Sequence, residues 1–155
     1  MRKPALAVVF TLVAAALVAA QAPSMSPEER QAILDYQLTL PRADQLITAM
    51  TAMTKYVVSR PDFQERLAKT MRMTAAERRA QVESDPQAMA ILKQNNLTSR
   101  EYLVGVPALR MALLAAQGLN GPTVVASPAN LAFAKANLAQ LKPKMDAADG
   151  ATARR

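Results

Sequence analysis

Four sets of side chains in this sequence have the type and spacing for chemistry. The first is thioether. Met50-x-x-Met53 and Met71-x-Met73 pair soft sulfur donors of the kind that suit Cu(I). Methionine also fills irregular gaps in apolar cores, and Met50 and Met53 fall on one apolar helical stripe, so packing accounts for them. The second set is basic. Between Lys55 and Arg79 seven Lys and Arg face three acidic residues, and Arg66, Lys69 and Arg72 recur every third position along one side of a helix. Such a ridge suits an anionic lipid surface or an acidic partner, and its simpler reading is a solvated helix face. The third set is carboxylate. A glycosidase-type reaction needs two carboxylates flanking one cleft. No spacing here marks such a pair, and Glu28, Glu29, Glu77 and Glu101 fall in first helical turns, where the helix dipole favours negative charge. The fourth is Arg110, the only charge between Tyr102 and Ala116. Arginine is seldom fully buried unless paired, and Pro107, one turn earlier, removes a helix hydrogen bond. Arg110 is expected to reach a carboxylate or free carbonyls at the edge of a bundle and to be largely covered. The competing expectation is that its stem packs while its head rises to water.

What is missing is more specific. The 155 residues include neither Cys nor His. No zinc site of the usual Cys/His kind can form. Haem attachment through C-x-x-C-H is excluded, as are Ser-His-Asp and Cys-His arrangements. No disulfide can brace the fold, so the core must suffice. We therefore expect no cofactor and a non-catalytic role.

The elements that position these residues begin with an export signal. Met1-Arg2-Lys3 is a basic start, Ala5 to Ala20 is a 16-residue apolar run, and small residues follow; these are the three parts of a secretory signal. The run is short of the roughly 20 apolar residues of a spanning helix, so the mature chain is not expected to be an integral membrane protein. Val18-Ala19-Ala20 places cleavage between Ala20 and Gln21, since the alternative after Ala22 sets Pro23 at the cut. Loss of Arg2 and Lys3 lowers the formal charge from +7 to +5. An exported chain with three Phe, three Tyr and no Trp is an unlikely match for nucleic acid, and its mild basicity favours encounters with anionic surfaces.

Helix punctuation fills the remainder. Ser26-Pro27-Glu28-Glu29, Thr74-Ala75-Ala76-Glu77 and Thr98-Ser99-Arg100-Glu101 read as capping boxes. A short first helix ends near Leu34 or Tyr36. A second runs from about Pro41 to Ser59 with Leu46, Met50, Met53 and Val57 on its stripe, and Arg60-Pro61 stops it. A weaker helix spans Asp62 to Met73 with Phe63, Leu67 and Met71 inward. Short helices follow to about Glu83 and to Asn95-Asn96, the latter with Ala88, Ile91 and Leu92 inward. The stretch from Tyr102 to Ala116 is apolar almost all round, which places it inside the others, and Gly118 stops it. Ser127-Pro128 opens a last helix with Leu131, Ala134, Leu138 and Leu141 on one face, ending at Pro143. Asn96-Leu97-Thr98 matches a glycosylation sequon, although Thr98 is already used as a cap.

The stretches LTSREYLVGVPALRMALLAA (97–116) and SPANLAFAKANLAQL (127–141) resemble those of small signal-bearing bacterial proteins of unknown function. That resemblance implies a periplasmic helical protein and brings no site. Ser26 to Gln31 and Met73 to Arg79 are also similar to helix starts of periplasmic helical chaperones with an L-T-x-x-Q motif, but neither has Leu-Thr followed by Gln at the motif's spacing.

The expectation is an all-α protein: a signal peptide (1–20), one compact bundle (21–144) of about five to seven helices around a buried helix (about 99–117), and a mobile tail (145–155). It is expected to work in the periplasm or medium as a binding or interaction protein. Its partner would be an envelope protein, a peptide, an apolar small molecule or an anionic surface. A helical chaperone and a carboxylate hydrolase are the alternatives. Arg110, Arg66, Lys69 and Arg72 are the candidate contact residues.

Overall fold

Helix boundaries in the computed structural model follow the capping residues closely. The structure describes residues 25–119 and 121–150. The signal, the Ala20/Gln21 cleavage point and residues 151–155 lie outside them. Seven helices and no strand occur among the described residues: α1 (Pro27–Asp35), α2 (Leu40–Val58), α3 (Phe63–Thr70), α4 (Ala75–Glu83), α5 (Pro86–Gln94), α6 (Ser99–Ala116) and α7 (Pro128–Gly150).

All three capping boxes form. Ser26, Thr74 and Thr98 each accept from the backbone N–H of the Glu three residues on, and that Glu reaches back to the cap's own N–H. Each box satisfies two N–H groups that the first helical turn otherwise leaves unpaired. Two helices end in Schellman motifs. After α6, Gly118 adopts φ +79°, Leu119 N–H bonds to the Leu114 carbonyl (3.1 Å) and Gly118 N–H to that of Ala115 (3.0 Å). After α5, Asn96 takes the same left-handed role at φ +54°, with Leu97 N–H on the Leu92 carbonyl (3.0 Å). Asn tolerates that conformation better than most side chains.

The core is aliphatic. Helix α2 contributes Ala43, Leu46, Ile47, Ala49, Met50 and Met53, and α5 contributes Ala88, Ile91 and Leu92. Of the expected stripe of α2, only Val57 is less than buried. Helix α6 is central: it packs against α1, α2, α4, α5 and α7, burying Gly105, Ala108, Leu109, Ala112 and Leu113. Gly105 permits that approach, since a Cβ there would lie 2.8 Å from the Tyr36 ring and 2.9 Å from Leu46. Asn130, buried in the first turn of α7, accepts from Leu38 N–H (3.0 Å) and donates to the carbonyl of the same Tyr36 (2.6 Å). It thereby fastens the α1–α2 connection to α7.

Two expectations are overturned. Helix α7 does not stop at Pro143 but continues through it to Gly150. Interior proline costs about 3 kcal/mol or more, but the apolar register of Ala134 and Leu141 runs on through Met145 and Ala148, all four buried. Lys144 also bonds to Asp44 of α2 (2.6 Å) and Lys142 pairs with Asp146. Residues 145–150 therefore belong to the bundle rather than to a tail. The second correction concerns α3. Neither Leu67 nor Met71 is buried: Leu67 borders an open cavity and is 44% exposed, Met71 is 61% exposed, and Phe63 is half-buried. Helix α3 buries no residue and touches the other helices only slightly.

Candidate functional site

An incompletely filled region lies beneath α3. Helix α2 ends at Val58, the chain turns at Arg60-Pro61 into the lightly held α3, and α4, which packs on α5 and α6, returns it to the bundle. Between them sits a cavity of about 190 Å³. Its apolar wall comes from Met53 and Val57 of α2, Leu67 of α3, Val82 of α4 and Ala88 of α5. A wider open groove between α3 and α4 adjoins it, sharing Tyr56, Arg60, Arg66, Gln81 and Asp85.

A polar network rims this cavity. Tyr56 lies in the last turn of α2, and Arg60, two residues past its end, is held by a tight turn (Arg60 N–H to the Val57 carbonyl, 3.2 Å) that brings its side chain back onto Tyr56. Tyr56 O–H donates to the Asp85 carboxylate (2.9 Å), and the Arg60 guanidinium donates to the Tyr56 oxygen (2.5 Å) while lying 5.5 Å from the ring centroid. Arg60 Nε donates to Asp62 Oδ1 (3.1 Å), and Arg66 Nε to Asp62 Oδ2 (2.6 Å). Asp85 also caps α5, accepting from Gln87 and Ala88 N–H. Farther along, the Thr70 hydroxyl donates to Gln81 Oε1 (3.3 Å) and links α3 to α4.

The electrostatics keep these carboxylates ionised. Hydrogen bonds from Arg60, then from Arg66, lower the Asp62 carboxyl to about 2. Burial pushes Asp85 up, but the Ala88 N–H, the Tyr56 hydroxyl, the Gln87 N–H and Arg60 outweigh it and hold the group below the usual range. Glu77 and Glu101 are lowered chiefly by the backbone N–H of their caps, and Glu83 by the Ser99 hydroxyl and Arg79. A general acid at neutral pH needs the opposite shift. These groups are suited to fixing helices and holding arginines.

The candidate residues scatter. Arg66 is half-buried, bound to Asp62 at the cavity rim. Lys69 is exposed and borders the outer groove. Arg72 is exposed and falls beyond the end of α3, because the chain tightens after Thr70 (Arg72 N–H to the Lys69 carbonyl, 3.0 Å) to reach the Thr74 cap. The three do not form one helix face, which corrects the expected ridge. Arg110 finds a carboxylate, Asp149 at 2.5 Å, but its side chain is 47% exposed; the largely covered version is overturned. Its partner sits in the stretch expected to be a tail. Arg110 also donates to the Met50 sulfur at 3.6 Å. Met50 and Met53 pack in the core, Met71 is exposed and Met73 half-buried. Among the described residues no group of three or more His, Cys, Asp or Glu is placed to hold a metal ion.

Sequence reasoning missed Tyr56, Arg60 and Asp85 as a unit. In the sequence Arg60-Pro61 reads only as a helix stop, and no local signal ties Asp85, 29 residues on, to Tyr56. No helix among the described residues is long and apolar enough to cross a membrane. No protein-family model, curated protein or solved structure matches this chain.

Proposed function

We propose that this is an exported, non-catalytic binding protein whose site is the cavity beneath α3. One observation carries the reading: an apolar-walled cavity lies under a helix that buries none of its own residues. A concave apolar site with a few polar groups at its edge is the usual form of a small-molecule site, and regions with few buried contacts open at low cost. Export rests on the basic start and the apolar run to Ala20. The ionised, engaged carboxylates speak for binding rather than acid–base chemistry.

Leu67 and Met71, exposed along α3, favour a second reading, a helical chaperone that holds apolar segments of other proteins. Native mass spectrometry on protein recovered from the envelope of its own cells separates the two. A small-molecule adduct on a monomer is the expected result. A dimer carrying peptide or protein favours the chaperone. Recovery of bare monomer from freshly lysed cells contradicts the binding-protein reading, and retention in the cytoplasm contradicts export.

A further inference from the structure

Resting on the reading that the cavity beneath α3 is a binding site, we infer that its ligand is an uncharged, largely apolar molecule of one or two rings. Size sets the first bound. The cavity measures about 190 Å³, and an apolar cavity of about 150 Å³ already takes up benzene. A fatty acyl chain or a peptide exceeds this volume and would have to extend into the open groove beside it.

Charge sets the second. Two arginines and two aspartates stand at the rim, and they are matched to each other: Arg60 with Asp62 and Asp85, Arg66 with Asp62. Tyr56 is spent between Arg60 and Asp85. An anion entering here competes with Asp62 and Asp85 for arginines they already hold, Arg66 through its Nε, and a cation meets carboxylates that already accept from those arginines. Either would leave its hydration behind for an apolar wall of Met53, Val57, Leu67, Val82 and Ala88. Tyr56, Arg60 and Asp85 keep the mouth shaped, while the Arg66–Asp62 pair belongs to α3 and its cap and moves with that helix, tethered by the Arg60–Asp62 bond. Besides the engaged Tyr56 hydroxyl, Thr70 and Gln81 bring uncharged hydroxyl and amide groups to the cavity, and they bond to each other through one contact. They can share a hydrogen bond with a single ring N–H, hydroxyl or carbonyl, so one such group on the ligand is accommodated.

Entry passes under α3. Leu67 is the only apolar side chain that α3 gives to the wall, and Thr70–Gln81 is the direct side-chain bond from α3 to α4 among the described residues. Displacing α3 therefore breaks little.

The test uses indole and its charged counterpart indole-3-carboxylate, followed through the methionine methyl resonances of the full mature chain. Met53 lines the cavity and Met145, in the α7 core, does not. The expected result is a saturable shift of Met53 with indole, no shift of Met145, and binding of the carboxylate at least tenfold weaker. Ala88→Leu and Val82→Phe fill the space from two different helices and each weakens indole at least tenfold, with the helical circular-dichroism signal unchanged. Val82 is half-buried, so its substitution spares the fold if Ala88→Leu does not. Equal or tighter binding of the carboxylate overturns the inference, as does indole binding indifferent to both substitutions. Absence of any Met53 shift at millimolar indole overturns it too. In that event, a native-mass adduct of other chemistry leaves the binding-protein reading standing, whereas absence of both defeats the two together.

Discussion

Asn130 is the most consequential polar residue in the fold, and removing its side chain has a size that can be worked out. It is 3% exposed and forms two hydrogen bonds to the α1–α2 connection, from Leu38 N–H and to the Tyr36 carbonyl. Asn130→Ala leaves both backbone groups without their partner. Each orphaned buried group costs about 1–3 kcal/mol. The Leu38 bond is buried, so its N–H pays near the upper end; the Tyr36 bond is part-buried, so the cost there is near the lower. The expected loss is about 3–4 kcal/mol on that scale, a large part of the 5–15 kcal/mol typical of a domain. Asn130→Asp refines the argument. A carboxylate still accepts from Leu38 N–H but meets the Tyr36 carbonyl with an oxygen instead of a donor. The loss at neutral pH should match or exceed that of Asn130→Ala, and part of it should return under acid, when the protonated carboxyl can donate. Urea unfolding followed by circular dichroism measures both, with an unchanged slope showing that the unfolded state is not involved. A loss below about 1 kcal/mol for Asn130→Ala refutes the reasoning, because it means the two backbone groups find water or new partners freely.

Four further outcomes follow from the same structure. Gly105→Ala gains about 1 kcal/mol of helix propensity, but its Cβ meets Tyr36 at 2.8 Å and Leu46 at 2.9 Å. Overpacking of this kind costs about 1–3 kcal/mol, so thermal unfolding should move down or stay level, and a clear rise contradicts the close approach. Met145→Ala should cost about 2–5 kcal/mol by chemical denaturation, since the side chain is core rather than tail; a negligible effect would return residues 145–150 to the status of a tail. Arg110→Met should cost less than about 1 kcal/mol, because both partners of the Arg110–Asp149 pair are about half-exposed; a loss of several kcal/mol by the same assay would contradict a surface pair. Asp62 is lowered from 3.8 to about 2 by Arg60 and Arg66. Its contribution is thus fully present above about pH 4 and lost as pH falls through 2. Digestion by pepsin, which is active in acid, should become faster at Phe63 and Leu67 as pH falls from about 4 to 2, and uniform cleavage along the chain would count against a local tether.

Much of this fold is legible in the sequence because capping is local. Ser26, Thr74, Thr98 and Gly118 mark helix ends through contacts within a few residues, and each end lies where those residues place it. What is not legible depends on partners far along the chain. Pro143 reads as a stop until Met145 and Ala148 are seen packed into the core, beside the Lys144–Asp44 contact across 100 residues. Leu67 and Met71 read as inward from periodicity alone, but periodicity states only that a helix has an apolar side, not that another element covers it. The cavity follows from that difference. Its rim combines residues 29 positions apart, Tyr56 and Asp85, whose separate local roles as helix-end residue and cap hide the joint one. Arg110 was recognisable as a charge in need of a partner, and the partner lay in the segment read as a tail.

The central claim, that α3 is a lightly held cover over an accessible apolar cavity, is tested most directly by native-state amide hydrogen exchange resolved helix by helix. The account predicts that the amides of α3 exchange by local opening at far lower free energy than those of α2 and α6, and that millimolar indole slows α3 selectively. Exchange of α3 at the same slow, global rate as α6, with no response to indole, would contradict it.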